Sequence, residues 1–169
     1  MFLLKRQSLL ALLCAVILSF ALISTSTAEG SASSEVGGVD LEGKDPHFIA
    51  AIDLFLAKDY EGAIIEFKEA LKVEPNDEFA HNFLAHCLNE TGKVDEAIKE
   101  YHEAIKINQY YAYAHNNLGV VLMKEKGDYD QAIEHFTMAL RADPKHQLAS
   151  MNLAAAKKEK AEKAEGSLK

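Results

Sequence analysis

Parts of this chain are copies of one another, and the interval between the copies limits what it can fold into more than any other feature. EFAHNFLAHCL, from Glu78, returns as AYAHNNLGVVL from Ala112, 34 residues later. A second half-unit recurs with it: DYEGAIIEFKEALKVEP from Asp59, KVDEAIKEYHEAIKINQ from Lys93 and DYDQAIEHFTMALRADP from Asp128. A unit this short cannot enclose a core alone, so neighbouring copies must stack and bury a continuous core between them.

Within each unit the apolar residues fall at helical spacing. Leu84, Ala85 and Leu88 share one stripe, and Ala97, Ile98, Tyr101 and Ala104 share another. Gly92, Gly127 and the Asp-Tyr pairs mark turns between such helices, while Pro75 and Pro144 stop the second helix of their units. Each unit therefore reads as a helix hairpin.

These residues resemble the tetratricopeptide repeat. Its pattern is an aromatic, a Leu-Gly pair and a Tyr on the first helix, then Ala, an aromatic and Pro on the second. The third unit has Leu118, Gly119, Ala132, Phe136, Ala139 and Pro144 in place. The first keeps Ala63, Phe67, Ala70 and Pro75 but has Ala50 and Ala51 for the Leu-Gly pair. The second keeps Leu84, Ala97 and Ala104, with Ala85 for Gly, Tyr101 as the aromatic and Gln109 for Pro. One extra residue in MKEKGDYD is expected to lengthen the third hairpin's turn. The resemblance implies an all-α fold: a right-handed α-solenoid of three tetratricopeptide hairpins at 45–77, 78–111 and 112–146. A capping helix at 147–165 and a tail at 166–169 follow. The cap, QLASMNLAAAKKEKAEKAE, repeats the first-helix pattern at Leu153 and Ala154 and then turns polar, one face for its neighbour and one for water.

The segment ahead of the repeats is different. Residues 1–28 begin with Lys5 and Arg6, run apolar from Leu9 to Ile23 and end in STSTA, the form of an export signal cleaved after Ala28. An uncleaved N-terminal anchor is the rival reading, with membrane contact only in that case. Cys14 follows Leu13, where a lipid-attachment box needs a small residue, so lipidation is not expected. Residues 29–44, EGSASSEVGGVDLEGK, hold too little apolar surface to fold alone and read as a flexible linker. These features predict an exported chain, periplasmic or secreted. Without the signal, 16 of the 18 Lys and Arg remain against 26 Asp and Glu, a balance that argues against nucleic acid as a partner. The same cleavage leaves Cys87 as the one cysteine, so no internal disulfide can staple the fold. Cys87 is then either buried and inert or open to oxidation beside His86.

Little in the sequence points to chemistry. His81 and His86 look like ligands, yet five residues on a helix turn them about 140° apart, so they cannot share a metal. His81 falls on the packing stripe, and His47 and His115 repeat its place 34 residues to either side. Haem-attachment, phosphate-loop, G-x-S-x-G and His-Glu-x-x-His motifs are missing, and no nucleophile is set beside a base. The expectation is no catalysis, no cofactor and no metal. Asn89-Glu90-Thr91 matches a glycosylation acceptor pattern, meaningful only in a source with that pathway.

What remains is surface. In the family that this chain resembles, the first helices line a concave groove that holds a peptide or a partner's helix. The corresponding positions here are Phe48 and Ile52 in the first unit, Phe79, Asn82, Phe83 and His86 in the second, Tyr113, Asn116 and Asn117 in the third, and Met151 and Asn152 in the cap. Aromatic side chains supply desolvated contact area, and Asn donates to and accepts from a peptide backbone at once. Asn117 and Asn152 occupy equivalent places and form a short asparagine ladder. Lys and Arg of a carboxylate clamp are missing from these positions. The resemblance therefore implies an exported, non-catalytic adaptor that binds a partner protein or peptide and supports assembly of an envelope or secretory-pathway complex. The alternatives are a homo-oligomer, in which the apolar first unit (Ile49, Ile52, Phe55, Leu56) meets a second copy, and an accessory subunit of an enzyme or cytochrome complex.

Overall fold

The computed structural model describes residues 35–36 and 39–166, in two units, Met1–Asp40 and Leu41–Lys169. The sequence-predicted signal or anchor lies outside the described residues. In the first unit β1 (Glu35–Val36) and β2 (Val39–Asp40) pair antiparallel, Val36 opposite Val39. Regular pairing therefore occurs within the stretch that composition reads as a linker.

The second unit is helical. Its elements are α1 (Pro46–Leu56), α2 (Tyr60–Val73), α3 (Glu78–Glu90), α4 (Val94–Ile107), α5 (Ala112–Val121), α6 (Tyr129–Ala142) and α7 (Gln147–Gly166). Each helix packs on the next in sequence, and α5 also touches both α3 and α7. The fold is an all-α solenoid of three hairpins and a final helix. Aspartates start four of the helices. Asp45 accepts from His47 N (2.8 Å), Asp59 from Gly62 N (3.0 Å), Asp77 from Phe79 N and Ala80 N (2.9 and 3.1 Å), and Asp128 from Gln131 N (3.0 Å). Each cap satisfies helix N–H groups that would otherwise lack a partner, a gain of about 1 kcal/mol.

Every hairpin turn passes through the left-handed region at one equivalent position: Lys58 (φ 62°), Gly92 (φ 78°) and Gly127 (φ 64°). Glycine is unstrained there and Lys58 is not. The extra residue of the third unit does not lengthen its turn. It is absorbed before the turn, where Leu122–Lys126 continues α5 as a π-helical segment closed by Asp128 N donating to Leu122 O (2.9 Å).

The core repeats one theme, a small residue on the first helix and a large ring on the second. Ala51, Ala85 and Gly119 are buried at the small position, and Phe67, Tyr101 and Phe136 at the large one. In the third hairpin the fit is tightest: a Cβ on Gly119 would stand 2.7 Å from Phe136 Cε1. Lysines of one repeat reach the acidic start of the preceding second helix, Lys93 to Glu61 (3.0 Å), Lys126 to Asp95 (2.6 Å) and Lys160 to Asp130. These pairs are exposed and set register more than stability.

Candidate interaction face

The first helices α1, α3, α5 and α7 carry every residue assigned to the groove, and they treat those residues in three ways. Phe48, Ile52 and Phe83 are core: 1%, 1% and 6% exposed. Phe83 stacks on Phe67 of α2 at 5.8 Å and meets Phe48 edge-on at 6.4 Å, while Phe48 meets Phe67 at 5.7 Å. Their assignment to an open face is corrected by this packing. The reason is geometric: α3 turns Phe83 back toward the first hairpin, where it meets Phe67 of α2 and Phe48 of α1, and the three rings cover one another.

The second group is a chain of amides running across repeats. Asn82 Nδ2 donates to Tyr111 Oη (3.3 Å), and Asn117 Nδ2 to Asn82 Oδ1 (3.2 Å). Asn116 Nδ2 donates to Asn117 Oδ1 (3.2 Å), and Asn152 Nδ2 to Asn116 Oδ1 (2.9 Å). The four asparagines therefore join α3, α5 and α7 into one directional network. Asn82 and Asn116 are buried in it and so are not free to grip a partner; Asn117 and Asn152 are half-buried. In a sparsely hydrated interior such a network rigidifies the interface only because each member is satisfied.

The third group faces outward. Tyr113 is 43% and Met151 67% exposed, with Leu148 beside them on α7. Tyr113 packs against the His146 ring at 5.0 Å and Tyr111 at 6.1 Å. Phe79 is half-buried between Tyr111 (5.2 Å) and the Lys44 ammonium (5.1 Å), which also salt-bridges Asp77 at 2.6 Å. His86 is half-buried between Phe55 (5.2 Å) and Tyr60 (6.3 Å). Burial pulls its pKa down, with Glu90 opposing. The exposed part of the face is thus Tyr113, Leu148 and Met151, around the third hairpin and the last helix, with Asn117 and Asn152 half-buried on the same helices and Phe79 and His86 half-buried on α3.

The histidines on the first helices act as polar latches. His47 Nδ1 meets Glu66 Oε2 and His81 Nδ1 meets Glu100 Oε2, both at 2.7 Å. His81 Nε2 also donates to the Pro75 carbonyl (3.1 Å), tying α3 to α4 and to the turn that follows α2. Burial lowers the His81 pKa, but Glu100 and the Pro75 carbonyl outweigh it and the net direction is upward. In the third hairpin the partner is not an acid: His115 Nδ1 meets His135 Nδ1 at 3.0 Å, and His115 Nε2 donates to the Gln109 carbonyl at 3.1 Å. Among the described residues, no three His, Cys, Asp or Glu groups stand together ready for a metal ion. Cys87 is fully buried and free, its thiol pushed up to about 12 mainly by burial, which makes it inert. Asn89 lies in the last turn of α3, not in a loop, with its amide oxygen buried.

Hairpins at constant interval, first helices side by side and a terminal helix with a polar outer end define a helical-repeat protein. Family models agree: the one described as TPR repeat matches residues 85–126, and that of the tetratricopeptide repeat matches 112–146. Residues 85–146 thus carry tetratricopeptide repeats. Solved structures share the fold. The Sgt2 TPR domain from Aspergillus fumigatus superposes with a TM-score of 0.69 at 20% identity, covering 73% of this chain and 83% of that one. The first TPR of Spaghetti (RPAP3) bound to the HSP90 peptide SRMEEVD gives 0.65 at 16%, covering 68% and 90%. MamA gives 0.64 at 22%, covering 68% and 67%. Identities this low show the fold alone. No curated protein matches the sequence.

Proposed function

We propose that this chain is a non-catalytic adaptor that holds an extended segment of a partner protein along α5 and α7. The observation that carries the reading is the pairing of a rigid amide network with exposed apolar side chains on the same two helices: Asn117 and Asn152 beside Tyr113, Leu148 and Met151. Such a face offers backbone hydrogen bonding and desolvated contact area together, the two things an extended peptide needs. That one structural neighbour holds a peptide supports the reading by analogy of fold. The partner segment is uncharged or apolar, because the open positions hold Tyr, Leu, Met and Asn rather than Lys or Arg. The test is capture of the partner from the native envelope or secreted fraction by full chain and by a Tyr113→Ala/Met151→Ala variant. Loss of capture at an unchanged melting temperature supports the assignment; equal capture by both rejects it.

The signal-like residues 1–28 support export, either by cleavage or by anchoring, and a role in assembling an envelope or secretory-pathway complex. N-terminal sequencing of the protein from its native source decides between the two. Among the described residues, no helix is long and apolar enough to cross a membrane. Self-association is a second reading, favoured by Ile49, Leu56, Ile65 and Val73, which leave the first hairpin with exposed apolar surface. Light scattering at high concentration tests it: a sharp monomer removes it.

A further inference from the structure

Asp77, Tyr111 and His146 hold equivalent places, each immediately ahead of a first helix (α3, α5 and α7), and all three are buried. Asp77 takes the Lys44 ammonium, and Tyr111 Oη accepts from Asn82. His146, 7% exposed, accepts from Ala149 N through Nδ1 (3.3 Å), which caps α7 and places the ring's one proton on Nε2. Among the described residues nothing accepts from that Nε2–H, although it is buried. A buried donor left unpaired is costly, and native structures keep few of them.

The ring packed on His146 is Tyr113, at 5.0 Å, as Phe79 packs on Tyr111 at 5.2 Å one repeat earlier. Unlike Phe79, Tyr113 is exposed, and it shares its face with exposed Leu148 and Met151. The same face has more hydrogen-bond donors to spare than acceptors. The network oxygens of Asn82, Asn116 and Asn117 each accept a bond already, whereas the Asn117 and Asn152 amides each commit one of their two hydrogens.

We propose that His146 is a ligand-binding residue of this face: with the Tyr113 ring turned aside, its Nε2–H donates to a main-chain carbonyl of a proline-rich segment. Proline keeps its carbonyl, has no N–H to satisfy and holds a segment extended, so it matches a surface with donors to spare. Exposed Tyr110 and Tyr113, with Leu148 and Met151, supply the ring and apolar surface on which such a segment lies. The inference rests on the partner-binding reading of α5 and α7 and adds the chemistry of the bound segment.

The experiment is titration of the isotope-labelled full chain, followed by NMR, with acetyl-decaproline amide and with a blocked serine-leucine peptide of the same length. Saturable binding of the proline peptide is expected, tighter than that of the serine-leucine peptide, with the His146 Hε2 signal moving downfield. His146→Asn keeps a cap for Ala149 N but removes the donor, so the melting temperature should hold while affinity falls about tenfold. His81→Gln should leave affinity unchanged. Proline-peptide binding that is lost in Tyr113→Ala/Met151→Ala yet kept in His146→Asn overturns the inference and leaves the face standing. Absence of proline-peptide binding, or binding no tighter than that of the serine-leucine peptide, overturns it too. Capture of the native partner by the full chain but not by Tyr113→Ala/Met151→Ala would then leave the adaptor reading intact.

Discussion

The junction between the first and second hairpins and the junctions that follow are built from the same helix positions with opposite chemistry. Where Phe48 and Phe83 stand in the first, joined by Phe67 and flanked by Phe55, the later junctions have Asn82, Asn116, Asn117 and Asn152. An aromatic cluster is cohesive in any orientation and gains stability in proportion to the area it removes from water. An amide chain gains little net stability, but each link must be in place or a buried polar group is stranded. One end of the solenoid is thus held by area, the other by direction. A directional surface is the one that can match a partner's backbone.

Substitutions should separate the two ends. Phe83→Ala empties the stacked aromatic site and should cost about 3–5 kcal/mol in chemical denaturation. Asn82→Ala deletes the link between Tyr111 and Asn117, and stranding their polar groups should cost about 1–3 kcal/mol. If the amide substitution proves the costlier, the comparison is reversed. Lys58→Gly relieves a left-handed residue where the other two turns already have Gly, and should stabilise by about 1 kcal/mol, read as a raised denaturation midpoint. Asn152→Ala, at the half-exposed end of the network, should cost under about 1 kcal/mol yet weaken partner capture.

The smallest effect is one of pH. The His81 value is raised in the folded chain, so the Glu100 latch contributes fully below about pH 6.5 and fades as pH rises through the folded value. The melting-temperature difference between the full chain and His81→Gln should therefore shrink from acid to mildly alkaline solution. A constant difference across that range removes the latch from the account.

Much of this was readable from the chain itself. The interval of 34 residues places the hairpins, and the positions of Leu84, Tyr101, Leu118 and Phe136 place their interior. Whether a first-helix residue faces the groove or the previous hairpin was not readable. Adjacent positions such as Asn82 and Phe83 differ by about 100° around the axis, and the rotation of α3 against α2 decides which of them is covered. The pairing of His115 was hidden for another reason. A strict 34-residue count sets Glu134 opposite Glu100, and only the residue absorbed in the π-helical end of α5 moves His135 into that place. Lys44 and Tyr111 escaped notice because each precedes its helix, where a periodic pattern has no register.

Hydrogen–deuterium exchange of the chain with and without its captured partner tests the central claim most directly. The directional end should be the binding end, so added protection is expected in α5 and α7, with α1 and α2 unchanged. Protection confined to α1 and α2 would contradict the account and move the interface to the apolar first hairpin.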